Sequence, residues 1–127
     1  MSDAADSMAV ALRFAALARK NDPTDYEVVI HAAYYSMHHA ARAALLAANG
    51  TAPTNHGRVA ASFAALARRH AAARGQRYSR ALGAAYDLRI ISDYGRAQRD
   101  LTRDAAELVH QLSAFLNFCE EVIAGRA

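Results

Sequence analysis

The chain has 127 residues, 54% of them of apolar type, with 33 alanines and only two prolines, a length that suits one domain over residues 1–127 and a composition that suits packed helices. That balance excludes collagen-like, disordered and all-β architectures, and Cys119, the lone cysteine, excludes an internal disulfide or a cysteine-rich zinc site. Fifteen basic residues against twelve acidic ones leave a formal charge of +3, too small a bias to point to nucleic acid by itself.

The first helix is expected over residues 3–20, capped by Ser2 or Asp3, with Met8, Leu12 and Ala15 forming an apolar stripe beside Val10, Phe14 and Leu17. Asn21, Asp22 and Pro23 stop it. Pro23 suits a first helical position after Asp22, and Thr24 with Glu27 has capping-box spacing, so the second helix starts there and runs to Asn49, with Gly50 as a left-handed stop. Residues 51–55 read as a turn-rich loop. Thr54 or Asn55 can cap a third helix that runs through Arg74, places Val59, Phe63 and Leu66 on one face and ends at Gly75. A fourth, from about Arg77 to Tyr94, carries Tyr78, Leu82, Ala85, Leu88 and Ile91 at spacings of three and four and closes at Gly95. The fifth begins near Thr102 and has the clearest period, through Ala105, Leu108, Leu112, Phe115, Cys119 and Val122.

Short loops force antiparallel neighbours, which predicts an all-α, up-and-down four-helix bundle with an additional short helix. So many core-facing alanines imply close helix approach, a thin core and dimerisation as a supplement. No apolar run reaches the ~18–20 residues of a bilayer span. The opening residues carry two acids and no basic segment, so a cytoplasmic protein without membrane association is expected.

Fourteen of the fifteen basic residues are arginine, and no acid occurs between Glu27 and Asp87, a stretch that holds Arg42, Arg58, Arg68, Arg69, Arg74, Arg77 and Arg80. One side of the molecule is therefore expected to be electropositive and suited to phosphate. In the second helix, steps of four, three and four align His31, Tyr35, His38 and Arg42 on a polar, aromatic stripe beside a core stripe of Tyr34, Met37, Ala41 and Leu45. Such residues in mid-helix need partners or a cleft. On the fourth helix Arg89 and Asp93 are four apart and can pair, with Tyr94 beside them. Glu107 and His110 have the spacing used in di-iron bundles, but no second copy and no bridging carboxylates accompany them, so neither metal nor cofactor is expected. A nucleophile elbow and a glycine-rich phosphate loop are likewise missing from the sequence.

Three segments, AYYSMHHAARAALL over 33–46, PTNHGRV over 53–59 and DLRIISDYG over 87–95, resemble in order and type the motifs of the small bacterial and archaeal branch of the HEPN domain family. The similarity spans about residues 8–123. It implies a dimerising helical bundle, often paired with a minimal nucleotidyltransferase as a toxin–antitoxin system. It also implies, for many members, a metal-independent endoribonuclease in which an arginine and a nearby histidine meet from two subunits. Imidazole there shuttles protons at the ribose hydroxyl and the leaving oxygen, while guanidinium stabilises charge on the phosphoryl group. Arg89 matches the motif arginine, but the position five later is Tyr94, so the segment reads Arg-x4-Tyr rather than Arg-x4-His. A tyrosine of ordinary pKa ~10 is a poor base at neutral pH, though its hydroxyl can bind phosphate or donate a proton.

Arg103 and His110 satisfy Arg-x6-His on one face of the fifth helix, and a different route joins His38 or His56 with Arg42 and Arg89. The expected catalytic set is thus Arg89, Tyr94, His38, Arg42, Arg103 and His110; the expected RNA- or nucleotide-binding set is Tyr35, His56, Arg58, Arg68, Arg69 and Asp93. A non-catalytic dimeric module that binds a nucleotide, RNA or the partner enzyme through its arginine-rich third helix is the competing expectation. A helical adaptor without a ligand is the plainest one. Some partner nucleotidyltransferases of the family transfer AMP to a tyrosine near the motif, and Tyr94 stands next to the corresponding position.

Overall fold

The computed structural model describes residues 3–95 and 100–125; Ser2, one of the two expected caps, lies outside them. The described residues form five helices and no strand: α1 (Asp3–Lys20), α2 (Tyr26–Asn49), α3 (His56–His70), α4 (Ala72–Asp93) and α5 (Thr102–Ile123). The longest, α2, sits at the centre and packs against the other four. The shortest, α3, is the additional helix of the expected bundle.

Small residues carry the contact between α1 and α2. Ala4, Met8, Ala11, Ala15 and Ala18 are buried, whereas Leu12 and Leu17 point outward, which corrects the expected stripe. The alanines let the two backbones approach until Ser36 donates its hydroxyl proton to the Ala11 carbonyl, 2.8 Å away in the buried seam. A leucine at that seam would hold the helices apart.

Asp22 also changes the start of α2. Its carboxylate accepts from both the backbone N–H and the hydroxyl of Thr24, at 2.9 and 2.8 Å, and the Asp25 N–H closes a turn onto the Asp22 carbonyl. Pro23 occupies the second position of that turn rather than a first helical position. With the Thr24 hydroxyl committed to Asp22, the expected capping box with Glu27 does not form, and the helix begins at Tyr26. Its far end is as expected: Gly50, at φ +78°, turns left-handed and returns its N–H to the Leu46 carbonyl.

A sharper correction concerns the third and fourth helices. Asn55 caps α3 by accepting from the Arg58 N–H at 3.1 Å, but α3 stops at His70 and α4 begins at Ala72. Ala71 alone makes the corner, extended at φ −158°, ψ 99°. Gly75 therefore lies inside α4, buried where that helix crosses the end of α3, and a Cβ there would overlap the Ala67 carbonyl. What the sequence presents as a helix stop is a close-approach glycine.

Val59, Phe63 and Leu66, together with the whole expected stripe of α5, are buried. Phe63 lies against Phe115 with ring centroids 5.4 Å apart, and Tyr78 stacks on Phe118 at 4.7 Å. At the rim, Arg74 reaches both carboxylate oxygens of Glu121 at 2.9 and 2.8 Å, and His70 Nε2 lies 3.6 Å from the same group, tying the ends of α3, α4 and α5 together. Burial pushes the Cys119 thiol well above its ordinary pKa, so it is a packing atom rather than a nucleophile. Among the described residues, no helix is long and apolar enough to cross a membrane.

Candidate functional site

One cluster of side chains gathers residues from all three resembling segments, and its partly exposed rim of Tyr35, His56, Arg89 and Asp93 is the cleft. From α2 come Tyr34, Tyr35 and His38, on successive turns of the central helix, which is held by the four others packed against it. His56, the first residue of α3, is delivered by the Asn55 cap and by Arg42, whose Nε donates to the Pro53 carbonyl at 2.9 Å and holds the preceding loop. The last turns of α4 contribute Tyr86, Arg89 and Asp93.

The contacts are close. Tyr34 Oη and His56 Nδ1 are 2.5 Å apart, and the His38 and His56 rings are 4.3 Å centre to centre. Tyr86 contacts both Tyr34 and His56, at 5.7 and 6.0 Å. The Arg89 guanidinium stands over the rings of Tyr34 and Tyr35 at 5.8 and 5.5 Å, a placement in which the tyrosine faces stabilise the cation. Its Nε is 2.9 Å from Asp93 Oδ2, an ion pair without the angle of a hydrogen bond. That geometry leaves the outer edge of the fork for another acceptor.

Electrostatics sets the proton positions. Burial raises the Tyr34 phenol, outweighing the lowering effect of Arg89, so Tyr34 stays protonated. Among the described residues its buried hydroxyl meets no other acceptor, so it donates to His56 Nδ1. His56 then carries its own proton on Nε2. Burial, reinforced by Arg89, holds His56 below its ordinary pKa, so this imidazole is a neutral donor near pH 7. Deeper still, burial first and then the neighbouring His56, His39, Arg42 and Arg89 push His38 down to about 3. His38 Nδ1 is buried without a hydrogen-bond partner among the described residues.

A pH dependence follows. His38 is neutral when folded but binds a proton near pH ~6.5 once unfolded, so unfolding takes up protons at lower pH. Stability is expected to be level above that pH and to fall as pH drops from there towards about 3, at up to ~1.4 kcal/mol per unit. Burial and Arg42 lower His39 in the same direction, as burial does His56. Urea midpoints measured from pH ~7 to ~5, above the carboxylate range, check this; His38→Asn should flatten the profile, and an unaltered slope would show that His38 is not the linked group.

Of the residues singled out from sequence, Tyr35, His38, His56, Arg89 and Asp93 meet in the cleft. Arg42 is one turn beyond His38 and serves the loop; it also borders a shallow surface site with Asp3 and Asp6. Arg58 is exposed on the first turn of α3, while Arg68 and Arg69 are exposed on its last turn, ~15–17 Å farther along the helix. Tyr94 caps α4 and is 68% exposed. Arg103 and His110 are both exposed on α5. His110 lines a groove of about 460 Å³ with Arg77, Tyr78 and Arg80, and Arg80 alone is ~13 Å along α4 from Arg89.

Tyr34 and Tyr86 also belong to the site, although helical spacing puts Tyr34 on the core stripe and no motif singles out Tyr86. Tyr86 precedes Arg89 by three residues, a same-face spacing that is available as a signal. Among the described residues, no three His, Cys, Asp or Glu side chains are grouped to hold a metal ion.

A model of the HEPN domain matches residues 6–122. The chain belongs to the HEPN family. Comparison with curated protein sequences finds no match. As a HEPN domain the chain falls in a general RNA-related or nuclease-like class, and its all-α bundle agrees with the family fold. The cleft lies where two helices and one helix start of this HEPN domain meet.

Proposed function

We propose that this HEPN protein binds RNA at the sugar–phosphate backbone, with Arg89 and His56 as the phosphate-contacting pair, acting as the RNA-directed component of a toxin–antitoxin system. The observation that carries this reading is the convergence of a guanidinium laid on two tyrosines with a neutral imidazole whose Nε2 proton is set by Tyr34. Two N–H donors from different elements, one of them cationic and fork-shaped, match phosphoryl oxygens. Arg58, Arg68 and Arg69 extend the cationic surface along α3 and supply sequence-independent attraction.

Cleavage is a second reading, favoured by the guanidinium of Arg89 and the imidazole of His56 on one partly exposed rim. In that reaction a ribose oxygen bonds to phosphorus as the bond from phosphorus to the leaving ribose oxygen breaks; water takes the proton of the first oxygen and supplies one to the second. His56 Nε2–H and Arg89 hold the phosphoryl oxygens and stabilise their charge. A homodimer and a minimal nucleotidyltransferase partner complete the proposal. Tyr94 is the acceptor on which that partner acts, its phenolic oxygen displacing pyrophosphate from ATP to become an AMP ester.

The test is binding of a single-stranded RNA in EDTA. His56→Ala should weaken it by ~10-fold or more, the order expected for losing a hydrogen bond to a charged group, with helicity unchanged. Equal affinity would overturn the reading. RNA cleaved in EDTA by wild type but not by Arg89→Ala would establish the second reading alongside the first.

A further inference from the structure

A row of rings continues from the cleft across the seam between α1 and α2. Tyr35 lies under Arg89 and touches Phe14 of α1 at 5.7 Å and His31 at 4.6 Å. Phe14 in turn faces His39 at 5.8 Å, the two rings parallel within 2°. Phe14, Tyr35 and His39 are each half-buried, and His31 is exposed. Phe14 and Tyr35 pack against the buried core, and His39 is held against Phe14, so the row is anchored.

We infer that Phe14, Tyr35 and His39 form a nucleobase-stacking subsite that holds the base next to the phosphate on Arg89, so that the ligand is single-stranded RNA rather than duplex. The inference rests on the RNA reading proposed above and adds the form of RNA that the site accepts. A base stacked on Phe14 is parallel to His39 as well, because those two rings share one orientation. His39 is kept neutral by burial and by Arg42, so it stacks as an uncharged heteroaromatic ring. An anchored aromatic ring offers a flat face at little cost in side-chain freedom, and every base has a π-face, so the subsite tolerates sequence. A duplex cannot use it: its bases are already stacked on one another, and only an unstacked strand presents a base face to a protein ring.

The charge arrangement agrees. Arg89 stands at the cleft end of the row, so backbone and base of one nucleotide find a guanidinium and an aromatic face side by side. Neither Phe14 nor His39 is needed by the phosphate contact itself, so the two functions separate experimentally.

The experiment uses a short single-stranded RNA carrying a fluorescent adenine analogue, and the same sequence as a duplex. The wild-type protein is expected to bind the single strand more tightly and to quench the analogue. Phe14→Leu keeps apolar bulk in the seam but removes the flat face; it should weaken single-strand binding roughly tenfold and abolish quenching, as for loss of one base stack. Phe14→Trp should retain both. His39→Leu is a second arm with the same expected loss, so that a packing defect at one position does not decide the result. Unchanged affinity in both leucine variants, or duplex bound as tightly as single strand, overturns the subsite while Arg89-dependent binding stands. Absence of any RNA binding by the wild type overturns the RNA reading, and the subsite with it.

Discussion

Gly75→Ala is expected to lower the melting temperature by about 10 °C or more. In an ordinary helix interior the same change stabilises by ~0.5–1 kcal/mol, because alanine loses less backbone freedom than glycine. Here the added methyl would overlap the Ala67 carbonyl and sit 2.8 Å from the Arg68 nitrogen. Both are backbone atoms of α3, and Ala71 is the whole connection, so no loop can absorb the displacement. Overpacking costs ~1–3 kcal/mol, occasionally more, and backbone obstruction places this site at the upper end. At ~3–5 °C per kcal/mol for a domain of this size, the shift is large. Gly83, also inside α4, has open space where a Cβ would sit, with no atom within 4 Å, so Gly83→Ala should raise the melting temperature slightly. Thermal melts of the two variants side by side check the sign; a Gly75→Ala protein as stable as wild type would show that α3 and α4 do not cross as described.

Arg89→Ala is expected to reduce RNA affinity by ~100-fold while leaving stability nearly unchanged. The stability half follows from position: the ion pair with Asp93 is between neighbouring turns of one helix and partly exposed, at 21% and 32%, a class worth ~0–1 kcal/mol. The binding half follows from geometry. Removing Arg89 takes away the cation and the fork together, and a charge-assisted bond of this type is worth ~1.5–3 kcal/mol. Arg89→Lys should recover only part of the loss, because an ammonium neither lies flat on Tyr34 and Tyr35 nor grips two oxygens at once. Filter-binding titrations of the three proteins, with melting curves on the same samples, separate the two effects. A lysine variant that binds like wild type would reduce the role of Arg89 to charge.

Much of the architecture was legible because helix period and punctuation agree. The α5 stripe of Ala105, Leu108, Leu112, Phe115, Cys119 and Val122 is buried throughout, and Gly50 ends α2 as a left-handed cap. Local signals failed where tertiary contact overrides them. Gly75 reads as punctuation, and only the crossing of α3 over α4 shows that it is a contact. Leu12 and Leu17 read as core, but alanines fit the narrow seam with α2 and leave both leucines facing out. Asp22 captured the hydroxyl that a capping box needed.

The cleft was legible in part for a related reason. The helical spacing of Tyr35, His38 and Arg42, and the pairing of Arg89 with Asp93, are properties of single helices. That His56 comes to rest against His38, or that Tyr34 turns its hydroxyl out of the core to His56, depends on how α3 docks. No period in the sequence encodes that. His110 illustrates the converse: it completes a motif-like spacing on α5, but the fold sets it beside Arg77 and Arg80 of α4.

The central claim is that Arg89 contacts an RNA phosphate, and the most direct test is the salt dependence of RNA binding by wild type and Arg89→Ala, both in EDTA. The wild-type affinity should fall linearly in log–log form with salt, and Arg89→Ala should be weaker at every salt concentration with a slope smaller by about one ion. Coincident lines for the two proteins, in position and in slope, would contradict the account.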